Sequence, residues 1–188
     1  MSRAAPAALV MTPASGETGG LRELLGPARA AALAAALDSE AERWASAVAP
    51  GRVHHADVPL ADATARLLSD HEGPLLVVWP VLARLRPEHA SGALGDLDDG
   101  ADLVIGPVID GGLYLLALTR PLAELVDVPD AAWFGADAMS SALQAAAGSG
   151  LEVGILRAER GLRQPSDVRA ALADRLTPKG ITTIIGGS

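Results

Sequence analysis

No cysteine occurs in the 188 residues, which excludes disulfides, thiolate metal sites and thiol catalysis. Aromatic residues make up only 3% while apolar residues make up 49%, so Ala, Leu and Val must fill the core and helices are expected to pack through alanine faces. Lysine occurs once, at Lys179. Fifteen basic against 23 acidic residues leave a formal charge of −8, and no run of Arg or Lys stands free of acidic neighbours, so nucleic acid is not expected as a partner. Long apolar runs are also missing. The longest, residues 75–83, is interrupted by Pro80 and is far below membrane-spanning length, and the apolar run after Arg3 is too short for a signal peptide. These absences lead to the expectation of a cytoplasmic protein without a membrane partner. The length suits one domain over 1–188 with a full core. Nothing in the sequence gives an oligomeric state.

What is present centres on residues 101–118. Two branched apolar runs, 103–105 and 113–118, flank Gly106-Pro107-Val108-Ile109-Asp110-Gly111-Gly112, which reads as strand, glycine-rich turn, strand. Gly111 and Gly112 permit positive φ and close approach of another molecule to the main chain, and Asp110 places a carboxylate at the same point. Spacing leaves two readings of Asp110 open. It either faces a ligand or only bonds the neighbouring amides of a tight turn. On the first reading, Gly111→Val should weaken a ligand far more than it weakens the fold.

Elsewhere, residues 7–11 read as a first strand running into the Gly/Ser/Thr/Pro-rich segment 12–20, which lacks the Gly-Lys-Ser/Thr ending of a P-loop. Residues 27–48 have helical periodicity with a proline in the first turn, and Trp44 is expected to be core. A short strand over 52–56 and a helix over 61–70, with Ala65 and Leu68 facing inward, follow. The continuous apolar run 75–79 should be a central strand covered on both faces. A helix starts at Pro87, and the acidic run 95–100 reads as a solvated turn. Further on, the sequence predicts a short helix from Pro121, a helix from about residue 138 to 147, a strand over 151–156, a helix over 166–176 capped by Ser166, and an edge strand over 181–185. His54 and His55 are adjacent and would point to opposite faces of a strand, so no zinc site is assigned. Alternating strands and helices argue for a three-layer α/β/α sandwich with a mostly parallel sheet, in which the 113–118 strand is the antiparallel member. Ligands in such folds bind at the carboxyl ends of strands, which brings the segments after Met11, Trp79, Ile105 and Leu156 around one crevice.

Taken in order, Thr12-Pro13-Ala14-Ser15-Gly16, the 75–78 strand followed by Leu85-Arg86-Pro87-Glu88-His89, the 106–115 segment with its Pro-x-x-Asp-Gly-Gly-x-Tyr-x-Leu pattern, Trp133-Phe134-Gly135 and Pro165-Ser166-Asp167-Val168 resemble a bacterial family of glycosyltransferase-A-fold proteins. These are described as nucleotide-diphospho-sugar transferase-like, and are similar to the guanylyltransferases of coenzyme F420 and molybdenum-cofactor synthesis. The resemblance covers roughly residues 7–175. It implies binding of a nucleotide or nucleotide-sugar at Pro13, Gly16, Gly106, Pro107, Asp110, Gly111, Gly112 and Tyr114, with Mg2+ or Mn2+ bridging phosphates to acidic side chains.

The sequence departs from that pattern where the metal would sit. Val81 stands in place of the acid that follows the central strand, and Gly161 and Arg163 replace two more in the last loop, leaving Asp110 as the one matched carboxylate. No metal ligand and no catalytic residue is therefore assigned, and no cofactor is expected. Arg163 has two readings: fixed positive charge for a phosphate, or a surface arginine. Asp137 and Asp167 are the acids to consider if a metal site has moved. Two hypotheses of function follow. One is a nucleotidyl- or glycosyl-transferase-like protein with reduced or metal-free electrostatics. The other is a non-catalytic relative, a pseudoenzyme that binds a metabolite or a protein.

Overall fold

A computed structural model describes residues 4–11, 19–56, 59–122 and 133–187. The predicted helix from Pro121, and the site residues Pro13 and Gly16, lie outside or run out of those residues. Six strands form one sheet in the order β2-β1-β3-β5-β4-β6: β1 (Ala7–Met11), β2 (Val53–Ala56), β3 (Leu75–Val78), β4 (Leu103–Pro107), β5 (Leu113–Leu118) and β6 (Val153–Ile155). The pairs β1/β2, β1/β3 and β4/β6 are parallel, and β5 is antiparallel to both β3 and β4. Strand β3 follows from its composition: four apolar residues, two of them β-branched, with both faces wholly buried.

Helices cover both faces. On one side α3 (Leu60–Asp70) and α5 (Ala138–Gly148) pack through Leu60, Ala63, Ala138 and Ala142 against Leu9, Leu75, Val77 and Leu116. On the other, the C-terminal half of α2 (Pro27–Val48) and α4 (Pro87–Asp98) pack through Ala41, Trp44, Ala90 and Ala93 against Val10, Leu76, Val78 and Val104. Alanine at these contacts lets helices approach the sheet closely, as the scarcity of aromatics requires. A third cluster joins α1 (Gly19–Leu25), the start of α2, α6 (Pro165–Ala173) and α7 (Lys179–Gly186) through Leu21, Leu33, Leu37, Leu162, Val168, Ile181 and Ile185.

Four local expectations are corrected. Residues 181–185 are helical in α7, not an edge strand: Ile181 and Ile185, four apart, bury one face against α2, and Gly187 closes the helix in the left-handed conformation at φ +72°. The acidic run after Gly95 is mostly the last turn of α4, with Leu97 buried, and only Asp99 and Gly100 leave it. The inward stripe of α3 is Leu60, Ala63 and Thr64 with Leu67 and Leu68 partly covered, while Ala65 faces solvent. Helix α6 starts one residue before Ser166. Gln164 is its cap residue, and the Asp167 carboxylate turns back to accept the backbone N–H groups of Gln164 (2.9 Å) and Arg163 (3.2 Å).

Candidate functional site

The turn between β4 and β5 is closed by its own backbone, with Val108 N–H donating to Gly112 O (2.7 Å) and Gly111 N–H to Val108 O (2.9 Å). The Asp110 Oδ1 atom accepts the Gly112 N–H at 3.2 Å, so the turn-forming reading of Asp110 is correct as far as it goes. A second partner enters from far along the chain. Arg163 Nη1 lies 3.6 Å from Asp110 Oδ1, and its Nη2 donates to the Phe134 carbonyl oxygen. Both side chains of the ion pair are only 19% exposed, so Arg163 is not a surface arginine but points into the molecule.

Each glycine of the turn has a separate reason. At Gly111, φ is +94° and an added Cβ would sit 2.1 Å from Ala136 O, while its own carbonyl accepts the Met139 N–H (3.0 Å), docking the turn on the start of α5. At Gly112 an added Cβ would sit 2.1 Å from Arg163 Nη1, so the missing side chain is the space the guanidinium occupies. Gly106 serves the opposite face. Its Cβ would fall 2.7 Å from the Tyr114 ring and 2.9 Å from Leu115 Cβ.

Tyr114 owes its position to a register shift between β4 and β5 at Gly106/Pro107. Simple alternation from Leu116 would put Tyr114 on the Trp79 side; the bulge sends it with Leu115 to the α4 side instead. The ring has no exposed surface, stands 5.0 Å from the His89 ring, and its hydroxyl donates to Arg157 O at 3.3 Å. Burial pushes its pKa up to about 12. Pro107 is buried in β4. Of the sequence-expected residues within the described chain, Asp110, Gly111 and Gly112 thus stand together with Arg163, whereas Gly106 and Tyr114 belong to the layer behind them.

Of the segments expected to converge, those after Trp79, Ile105 and Leu156 do so, and the one after Met11 lies outside the described residues. Leu162 N–H donates to Val81 O (2.8 Å), Glu159 N–H to Pro107 O (3.0 Å) and Ile109 N–H to Glu159 O (3.0 Å), which straps residues 159–162 across the carboxyl ends of β3 and β4. Beside this strap opens a cleft with a cavity volume of about 70 Å³, reached by Leu33 and Asp38 of α2, Trp79 and Val81, Trp133, and Arg163. The Trp79 and Trp133 rings are 6.4 Å apart at 27°, and both indole N–H groups are buried without a hydrogen-bond partner among the described residues. An unmet buried donor costs about 1–3 kcal/mol. Asp38 stands at the rim, where desolvation raises its carboxyl above the ordinary range. Asp38 and the paired indoles were not legible as site residues, because they come from three separate segments; Trp133-Phe134 was the one visible signal.

Among the described residues, the donors at the site do not suit a divalent ion. Val81 offers a carbonyl already bonded to Leu162, Asp110 is paired with a guanidinium, and Asp167 is occupied by two backbone amides and by Arg160 (3.2 Å). Asp137 is exposed at the start of α5 without a side-chain capping bond. Among the described residues no three His, Asp or Glu side chains are grouped to hold a metal. His54 and His55 are both exposed, and His55 Nε2 meets Glu42 Oε2 at 3.1 Å. No helix among those residues is long and apolar enough to cross a membrane.

The fold has a counterpart among solved structures. A crystal structure described as a "putative nucleotide-diphospho-sugar transferase" from Desulfovibrio desulfuricans G20 superposes with a TM-score of 0.71 over 98% of each chain, at 16% identity, so the fold is nucleotide-diphospho-sugar transferase-like. No curated protein matches the sequence. The model of the family described as "Uncharacterized protein conserved in bacteria (DUF2064)" matches residues 25–148, well over half of the 188, and the chain therefore belongs to the DUF2064 family.

Proposed function

We propose that this protein binds a nucleotide or nucleotide-sugar in the cleft beside the strap, with the Arg163 guanidinium in place of a divalent ion as the positive charge that meets phosphate. The observation that carries this reading is the inward course of Arg163, held by Phe134 O and Asp110 at the carboxyl ends of the central strands. Guanidinium is a fixed charge with paired donors suited to phosphate oxygens. The apolar wall of Trp79, Trp133 and Leu33 then receives the less polar part of the ligand. A phosphate reaching Arg163 competes with Asp110, which stays tied to the Gly112 amide. On this reading any group transfer runs without metal assistance, and no residue is assigned as acid, base or nucleophile.

A second reading, a non-catalytic module for an uncharged apolar metabolite, is supported by the same apolar lining and the two unmet indole donors. A thermal-shift screen separates the two. Nucleotides, nucleotide-sugars and uncharged aromatic metabolites are each added to wild type and Arg163→Ala, with and without magnesium or manganese. The first reading expects a nucleotide to raise the midpoint equally with and without metal and to fail on Arg163→Ala. A ligand at a hundred times its Kd stabilises by about 2.7 kcal/mol, a shift of roughly 5–10 °C for a chain of this size. Shifts from uncharged aromatics alone, unchanged in Arg163→Ala, select the second reading.

A further inference from the structure

The strap has two sides, and the cleft lies on only one of them. On the other is a cavity of about 280 Å³ bounded by the connection from β3 to α4, the segment after β6 and the joint between α6 and α7. Arg84, Arg86, Arg157 and Arg160 all line it, against the carboxylates of Glu159 and Asp174, a surplus of two positive charges in a chain of net charge −8. Gathering guanidiniums costs Coulomb energy that the carboxylates present only half offset. A concave site of net positive charge also focuses field and concentrates counter-charge.

The partners of each charge are unequal. Arg86 Nη2 is bonded to Glu159 Oε1, and Arg160 Nη1 to Asp167 Oδ1 at 3.2 Å. Asp174 Oδ1 is turned to the Leu176 N–H of its own turn (2.9 Å). Arg84 and Arg157 make no side-chain hydrogen bond or ion pair among the described residues, and both are exposed to the cavity. The walls are fixed: Glu40 of α2 accepts the Leu85 N–H (3.0 Å), and Trp44 donates to Arg86 O (2.8 Å), so the loop carrying Arg84 and Arg86 is anchored from behind. His89 completes the support. Its Nδ1 accepts the Arg86 N–H (3.3 Å), which leaves the proton of the neutral ring on Nε2, directed at Glu159 Oε1 (3.4 Å). Arg86 is thereby oriented through Glu159.

We infer that this cavity is an anion site for a phosphate or diphosphate group, gripped by the unpaired guanidiniums of Arg84 and Arg157 with Arg86 and Arg160 at its edge. One carboxylate would satisfy one guanidinium fork; two free forks and two partly engaged ones suit a multiply charged tetrahedral group. The site is separate from the Arg163 cleft and does not depend on what that cleft holds. The group comes either as a free inorganic anion or as the phosphates of a larger molecule.

Titration calorimetry at low ionic strength tests it, with inorganic phosphate, inorganic diphosphate, a nucleoside and the matching nucleoside diphosphate as probes. Wild type, the Arg84→Gln/Arg157→Gln double variant and Arg163→Ala are compared, each checked by circular dichroism; the two substituted side chains hold no bond among the described residues, so the fold is expected to persist. Expected is diphosphate binding that weakens at least tenfold in the double variant, is unchanged in Arg163→Ala and falls as salt rises. Equal affinity for inorganic and nucleoside diphosphate, with none for the nucleoside, assigns the site to the free anion; tighter binding of the nucleoside diphosphate that is lost in the double variant assigns it to a larger ligand. Absence of diphosphate binding in wild type, or binding insensitive to the double variant, overturns the inference. Loss in Arg163→Ala with the double variant unaffected would place the anion in the cleft and overturn it equally.

Discussion

A methyl group added at Gly111 would meet the Ala136 carbonyl in a backbone with φ +94°, whereas one added at Gly112 would meet the far end of the Arg163 side chain at 2.1 Å and Asp110 Oδ1 at 3.3 Å, both side-chain atoms that can shift. Strain at such a φ costs about 1–3 kcal/mol, and a rigid carbonyl cannot give way. Gly111→Ala is therefore expected to lower the melting temperature by at least roughly 4 °C, and Gly111→Val by more. The Gly111→Val test of ligand binding loses its meaning, since the fold itself is damaged. Gly112→Ala should leave the melting temperature nearly unchanged while displacing Arg163 and weakening any cleft ligand. Equal melting losses in the two variants would contradict this division of labour. Tyr114 offers a second test because it is the one tyrosine of the chain. Its pKa is raised to about 12, so the native state keeps a proton that the unfolded state releases near 10. Stability contributed by the neutral phenol is full below pH 10 and is lost as pH rises from 10 toward 12. Absorbance at 295 nm should show no tyrosinate until well above pH 10, and Tyr114→Phe should flatten the alkaline stability loss. Ionisation of the native protein at pH 10 would show that the phenol is solvated.

At the scale of the elements, α4 carries its own pH dependence. Burial lowers the His89 pKa below its ordinary 6.5, with Arg86 adding repulsion and Glu159 and Glu88 opposing both. The unfolded state then binds a proton that the native state refuses, so stability is full above pH 6.5 and falls as pH drops below it. Urea midpoints between pH 7 and 5 should decline in wild type and decline less in His89→Gln; identical slopes would remove His89 as the cause. Helix α7 is held by tertiary packing, and Ile181→Ala should cost about 2–4 kcal/mol. The five sequence residues of that helix, Ile181-Thr182-Thr183-Ile184-Ile185, are β-branched and read as a strand; the i, i+4 burial of Ile181 and Ile185 on α2 overrides the propensity. Strands β1, β3, β4 and β5 were legible because continuous apolar runs bounded by Gly and Pro admit few other readings. The placement of Tyr114 was not, because a one-residue bulge inverts alternation without leaving a composition signal. Arg163 was flagged as a departure with two open readings, a charge for phosphate or a surface arginine, and its contact with Asp110 joins positions 53 residues apart.

The whole molecule is acidic, yet it assembles two arginine-bearing hollows on opposite sides of one strap. No sequence window announces this, since Arg84 and Arg86 lie more than 70 residues from Arg157 and Arg160, and every short run includes acidic neighbours. Parallel strands ending at one edge bring the segments together, so the topology creates the charge pattern. The central claim is that positive charge from Arg163, not a divalent ion, meets phosphate in the cleft. The most direct measurement is titration calorimetry of the tightest nucleotide or nucleotide-sugar from the thermal screen, in EDTA and in millimolar magnesium, against wild type, Arg163→Lys and Arg163→Ala. Wild-type affinities are expected within twofold of each other in the two buffers, with a loss of at least tenfold in Arg163→Ala and partial retention in Arg163→Lys. Binding that requires magnesium and is indifferent to Arg163→Ala would contradict it.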